Sequence, residues 1–303
     1  MNTKSGYVSI IGKPNAGKST LMNALLGERL SIITSKPQTT RKNILGIISD
    51  AENQIIFLDT PGMLDPSYLL QEKMVDFINR AIKDADILLV LFDIASDPNG
   101  KEILEDVTLC QSLKKLNAKK IGVINKIDLS NDVKVEKLVN KVGEAKLFDD
   151  VIIISAQIGF NTQELLSTIK KFLPTGPKYY PDDQLTTENE RFFVSEIIRE
   201  KIFEYYKDEI PFSTEVVIEE FKERENAKDY IAATIIVERE TQKPIIIGKG
   251  GDAIKRLGKI SRTAIEKFLE REVYLDIHVK VKPKWRSNAN LLKTFGYTSD
   301  DKQ

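Results

Sequence analysis

Gly12-Lys13-Pro14-Asn15-Ala16-Gly17-Lys18-Ser19 fits G-x-x-x-x-G-K-[ST], the spacing of a loop that cradles phosphates. The glycines let successive backbone N–H groups curl round an anion. A helix-like stretch, residues 20–26, opens at the loop and would add orphan N–H donors and the positive end of a dipole. Lys18 would reach the β- and γ-phosphates, the Ser19 hydroxyl would bind Mg²⁺, and Thr20 follows in the same turn. A Gly-rich turn could match the pattern by chance. The apolar run 7–11 before the loop and the helix after it favour the phosphate reading, because that is the context the motif requires.

Three further groups lie at the ends of apolar runs. Asp59-Thr60-Pro61-Gly62 follows residues 55–58; a carboxylate there suits Mg²⁺, a hard cation that takes oxygen ligands. The Gly62 N–H could meet a γ-phosphate, since glycine permits close backbone approach. Asn125-Lys126-Ile127-Asp128 follows residues 120–124. A carboxylate at Asp128 can accept from guanine N1–H and the exocyclic amine, whereas adenine offers neither donor and would leave it unpaired. Ser155-Ala156 ends the run 151–154, where a backbone N–H could reach guanine O6. Between the first helix and the strand 44–49, residues 31–42 form a polar, turn-rich segment suited to a switch that orders round a γ-phosphate. Thr39 and Thr40 both offer it a hydroxyl for Mg²⁺, with Thr40 favoured.

The elements that must carry these groups alternate. Strands are predicted at 7–11, 44–49, 54–58, 86–92, 120–124 and 151–154, and helices near 18–26, 68–83, 101–116, 133–146 and 161–172. Apolar strands separated by helices imply a mostly parallel α/β sheet covered on both faces, with ligands at the carboxyl ends of the strands. The chain of 303 residues is 41% hydrophobic and 30% charged with zero formal net charge, so only a local patch could announce a nucleic-acid partner. One cysteine, Cys110, excludes a disulfide framework, and one histidine, His278, excludes a multi-histidine metal site. No signal peptide and no stretch long enough to span a bilayer is visible.

The motifs G-x-P-N-x-G-K-S-T-L, Gln38-Thr39-Thr40-Arg41, Asp59-Thr60-Pro61-Gly62 and Asn125-Lys126-Ile127-Asp128, in this order, resemble the translation-factor-related GTPases and, among them, the Era family of ribosome-assembly GTPases. The resemblance implies a nucleotide site built from residues 12–20, Asp59 to Met63, Asn125, Lys126, Asp128, Ser155 and Ala156. Ser19, Thr40 and Asp59 would hold Mg²⁺, and Lys18, Thr40 and Gly62 would act in hydrolysis. Ras-like switches place a water-orienting glutamine just after this glycine. Met63 stands here instead, and a thioether can neither orient water nor take a proton. By the same resemblance Asn15 would help hold a K⁺ ion near the β,γ-bridge; Arg41 is a cis alternative. Basal turnover should be low.

Residues 174–190, rich in proline, glycine and acidic side chains, read as a linker after a nucleotide-binding domain at 1–173. A second, α+β domain is expected at 191–283, with a basic and polar tail at 284–303. Its order is a helix at 191–207, strands at 215–222 and 230–238, an apolar run into Gly248-Lys249-Gly250-Gly251, a helix at 252–271 and a strand at 272–282. In that strand Val273, Leu275, Ile277, Val279 and Val281 should face one way and His278 the other. A G-x-x-G loop opening a helix is how KH domains clamp a nucleic-acid backbone, and the α-β-β-α-α-β order resembles the type 2 KH domain. Residues 191–242 carry 8 basic and 13 acidic side chains, net −5; residues 243–286 carry 12 and 5, net +7. The positive charge thus gathers at the loop and its helix, an electrostatic footprint for phosphates. Lys255, Arg256, Lys282 and Lys284 join the loop residues as expected RNA contacts. Trp285 either stacks on a base or packs back on the body.

The resemblance implies a monomeric cytoplasmic factor that binds the 3′ end of 16S rRNA during maturation of the 30S subunit, with peripheral membrane association a further family expectation. The alternative is a signalling GTPase whose C-terminal domain binds a protein.

Overall fold

The computed structural model describes residues 3–298. They divide into two compact units, residues 1–65 with 74–187 and residues 66–73 with 188–303. The first two residues and the last five of the expected tail lie outside the described residues.

In the first unit the chain runs β1 (Lys4–Gly12), α1 (Lys18–Leu26), β2 (Ile44–Ser49), β3 (Asn53–Asp59), α2 (Leu69–Asp84, which begins in residues of the other unit) and β4 (Ile87–Asp93). It continues through α3 (Lys101–Leu104), α4 (Val107–Lys115), β5 (Lys119–Asn125), α5 (Asp132–Glu144), β6 (Asp150–Ile153) and α6 (Thr162–Phe172). The sheet order is β2-β3-β1-β4-β5-β6, parallel except for β2 against β3. All of β4 from Ile87 to Phe92 is buried, as a strand covered on both faces must be. Leu88, Val90 and Phe92 share one cluster with Ile78 of α2, Leu113 of α4 and Leu138 and Val142 of α5. The chain leaves β1 towards β2 and β3 on one side and reaches β4 on the other, so the loop after β1 sits where the strand order reverses.

One expectation needed correction here. The helix at 101–116 is broken: Asp106 caps α4 by accepting from Leu109 N–H, and a carboxylate committed to capping cannot continue the preceding helix. Of the segment read as a linker, residues 174–187 group with the first unit and pack on it. Pro174 O accepts from Ser5 N–H, Tyr179 and Tyr180 N–H donate to Gln54 Oε1, and Thr186 Oγ1 donates to Leu45 O.

The second unit holds α7 (Glu190–Tyr205), β7 (Glu215–Lys222), β8 (Asp229–Val237), α8 (Lys243–Ile247), α9 (Asp252–Leu269), β9 (Val273–Val281) and α10 (Ala289–Thr294). Its sheet is β7-β8-β9, antiparallel then parallel. The core joins Val194, Ile198 and Ile202 of α7, Leu257 and Ile265 of α9 and the inward residues of β8 and β9, including Val273 and Val279. His278 lies on the outer, exposed side of β9 beside Asp276.

The described part of the tail is anchored on the second unit. Trp285 is fully buried, its indole N–H donating to Ser213 O at 2.9 Å, and Tyr297 OH donates to Glu215 at 2.7 Å. Trp285 therefore packs on the body, and base stacking is ruled out for it in this conformation. Trp285→Ala should destabilise the second unit by ~3–5 kcal/mol. Denaturation followed by far-UV circular dichroism checks this; an unmoved transition would contradict the packing role.

Candidate nucleotide site and RNA-binding loop

The loop after β1 closes with Gly17 at φ +96°, and α1 begins at Lys18 with no side-chain cap. Its first N–H groups are therefore left for a ligand. A cavity of about 450 Å³ opens there, of a size for a nucleotide-scale ligand. Pro14, Asn15, Gly17, Lys18, Ser19 and Thr20 line it, with residues 32–36 and 38–40, Gly62 and Lys126. Lys18 Nζ donates to Gly12 O and Lys13 O at 3.1 and 3.0 Å, which turns the ammonium back over the loop. Burial pushes Lys18 down to about 8, against the pull of Asp59.

Three loops bring oxygens to one point beside Lys18. Ser19 Oγ donates to Asp59 Oδ2 at 2.6 Å and lies 3.0 Å from Thr40 Oγ1, which is 3.4 Å from the same carboxylate oxygen. Asp59 is fully buried; burial raises its carboxyl pKa, opposed by Ser19 and Lys18. Its Oδ1 is buried with no hydrogen-bond partner. A buried, half-satisfied carboxylate with two hydroxyls is a donor set that fits Mg²⁺. Thr40, not Thr39, joins it: Thr39 Oγ1 is turned to Lys36 O and Thr34.

The loops are braced against one another. Met63 N–H donates to Gly12 O at 3.1 Å, and a Cβ on Gly62 would come within 2.8 Å of Pro14 Cα. Asn125 Nδ2 donates to Ala16 O at 2.8 Å while its Oδ1 accepts from Ala156 N–H at 3.0 Å, tying the phosphate loop to the loop after β6. A Cβ on Gly17 would fall 2.3 Å from that amide, so this position excludes any larger residue. Asp128 Oδ1 accepts from Ser155 Oγ at 2.5 Å.

Several expected site residues serve differently from their sequence assignment. Thr60 is buried, and its hydroxyl donates to Ile10 O at 2.7 Å; it fastens the motif to β1 and does not line the cavity. The Met63 side chain packs against the apolar cluster of α2, β4 and α5, because a thioether gains from burial and has nothing to offer a polar cavity. The N–H groups of Ser155 and Ala156 already donate, to Phe160 O and Asn125 Oδ1, so contact with guanine O6 would require sharing. Arg41 is neither solvated nor in the cavity lining; it is 3% exposed. Asp128 is exposed, so it would be desolvated only beneath a base. Two positions without a motif signature also matter. Asn23 fixes the start of the switch segment through Leu30 and Ser31 N–H. Asp93 holds Lys126 Nζ at 2.7 Å; its signal is its place, closing the run 87–92 as Asp59 and Asn125 close theirs.

Met63→Gln is therefore expected not to raise GTP turnover. It should instead cost ~1–3 kcal/mol of stability by placing an amide among apolar side chains. Turnover assays and a denaturant melt on the same sample check both halves.

In the second unit the G-x-x-G loop joins α8 to α9, with Gly248, Gly250 and Gly251 all at positive φ. Lys249, Lys255, Arg256, Lys282 and Lys284 are exposed. The loop thus opens α9 with cations around it, and α9 starts from Gly251 with no side-chain cap.

A phosphate loop at the switch point, a hard-cation oxygen set beside it and an Asn-Lys-x-Asp motif on the next strand end define a P-loop GTPase, here followed by a KH domain. Residues 7–126 match the family described as 50S ribosome-binding GTPase, and residues 209–286 match the KH domain family. GTPase Era of Geobacter sp. (strain M21) is 45% identical over 97% of this chain and 98% of its own length. A chloroplastic GTPase ERA1 of Zea mays is 45% identical over 98% of this chain and 71% of its own. A crystal structure of Era with MgGDPNP and nucleotides 1506–1542 of 16S ribosomal RNA has 40% identity and a TM-score of 0.90, covering 98% of this chain and 99% of that one. An Aquifex aeolicus Era variant bound to GDP.AlF4⁻ matches with the same identity and TM-score, over 98% and 100%. The chain belongs to the Era family of GTPases.

Proposed function

We propose that this protein is a GTP-hydrolysing switch that binds the 3′ end of 16S rRNA through its KH domain and assists assembly of the 30S subunit. The observation that carries the enzymatic part is the meeting of Ser19, Thr40 and Asp59 beside Lys18. In this reading Lys18 and the first N–H groups of α1 bind the β- and γ-phosphates, and Gly62 N–H and Thr40 sense the γ-phosphate. Ser19, Thr40 and Asp59 would hold Mg²⁺, which when bound would supply charge neutralisation for the phosphates. Asp128, steadied by Ser155, reads the base. The Met63 side chain packs into the apolar cluster and offers no group to an attacking water, so basal hydrolysis should be slow. Asn15, whose amide donates to Ser35 O at 2.9 Å, stands between the phosphate loop and the switch segment. There it would help hold K⁺, which when bound would supply positive charge to the reaction.

The RNA part rests on the cationic G-x-x-G loop and on the relative solved with 16S nucleotides. No described helix is long and apolar enough to cross a membrane. We assign the protein to the cytoplasm, as a monomer; peripheral membrane association rests on family resemblance alone. Binding of a 3′-end 16S fragment, against a scrambled fragment of equal length, tests the RNA reading. Equal affinity for both would overturn it, and protein capture by the KH domain would then favour the signalling alternative.

A further inference from the structure

Asp93 closes β4 and stands opposite Asn125 in the β4/β5 register, one residue before Lys126. Its carboxylate divides its two oxygens. Oδ1 accepts from Ala95 N–H at 3.0 Å and Ser96 N–H at 3.3 Å, which shapes the turn after the strand. Oδ2 accepts from Lys126 Nζ at 2.7 Å. The Asp93 side chain is 9% exposed and that of Lys126 28%. Lys126 itself sits at φ +66° and lines the cavity with Gly17 and Lys18.

A lysine in a cavity wall ordinarily keeps its ammonium in water and its stem mobile. Here the ammonium is anchored by a carboxylate that two backbone N–H groups hold in place. The stem is thereby fixed as an apolar strip of the wall, and its charge is neutralised beside the site. A planar base meets such a strip through its ring face, with no hydrogen bond required.

We infer that Asp93 is a positioning residue for nucleotide affinity, acting through Lys126 on the base and not on the phosphates. This rests on the reading of the cavity as a guanine-nucleotide site. It implies that losing the anchor weakens GDP and GTP equally and spares turnover at saturation. Asp93→Asn separates the two roles of the carboxylate. The asparagine Oδ1 still accepts from Ala95 and Ser96, whereas its Nδ2 cannot accept from Lys126.

The test is titration of the full chain with fluorescent GDP and a non-hydrolysable GTP analogue in Mg²⁺ buffer, for the wild type, D93N, K126A and the double variant. D93N is expected to raise Kd about tenfold for both nucleotides, with kcat at saturating GTP within about twofold and an unchanged thermal midpoint. The double variant should bind no worse than K126A alone. Additive losses, a D93N affinity equal to wild type, or a loss confined to kcat would each overturn the inference. A wild-type chain that binds no guanine nucleotide would instead overturn the reading of the cavity.

Discussion

Asp128→Asn should exchange the base preference of the protein. In the proposed reading the Asp128 carboxylate would accept two hydrogen bonds from guanine, each worth ~1.5–3 kcal/mol to a charged acceptor, and an amide would turn one of these into a donor facing a donor. GTP affinity is expected to fall by at least ~100-fold, which is ~2.7 kcal/mol. Xanthosine triphosphate, with a carbonyl where guanine carries its amine, should gain affinity because it can accept from the new amide. The bond from Ser155 Oγ to Asp128 Oδ1 fixes the side chain, and asparagine retains an acceptor for it, so the turn itself should persist. Competition of the two nucleotides on the variant reads the exchange. An unaltered preference for GTP would show that the base is read elsewhere.

The second large effect is expected at the KH loop. A double change, Lys249→Asp with Gly250→Asp, removes one cation and adds two anions where phosphates should pass. Gly250 has open space around the position of a Cβ and a φ of +61°, a conformation aspartate tolerates better than most residues. The fold should therefore survive, and a loss would report charge alone. RNA affinity is expected to drop at least ~100-fold at ~0.1 M salt, with a shallower salt dependence, because fewer counterions are released on binding. GTP hydrolysis without RNA should be unaffected. Retained RNA affinity would place the RNA surface away from this loop.

The nucleotide motifs are legible in sequence for a physical reason. Each must sit at the carboxyl end of a strand, so a run of apolar residues announces it: 7–11 before the phosphate loop, 55–58 before Asp59 and 120–124 before Asn125. The alternation of β9 is legible likewise, since one face must meet the core of α7 and α9. Side-chain direction is much less so. Thr60 and Met63 lie within a nucleotide motif, yet both turn into the body, because neighbouring β1 and α2 offer an acceptor and an apolar cluster. The sequence leaves the roles of Arg41 and Trp285 open, and tertiary packing buries both. Asp93 is invisible to any motif because its partner, Lys126, is 33 residues away and meets it only through the β4/β5 pairing.

The most direct test of the account is GTP turnover by the full chain in K⁺ and Mg²⁺ buffer, with and without a fragment matching the 3′ end of 16S rRNA. The expected result is a slow rate that rises when the fragment is added and falls back when the K249D/G250D variant replaces the wild type. A rate that the fragment leaves unchanged, at concentrations where it is bound, would contradict a switch whose hydrolysis answers to RNA.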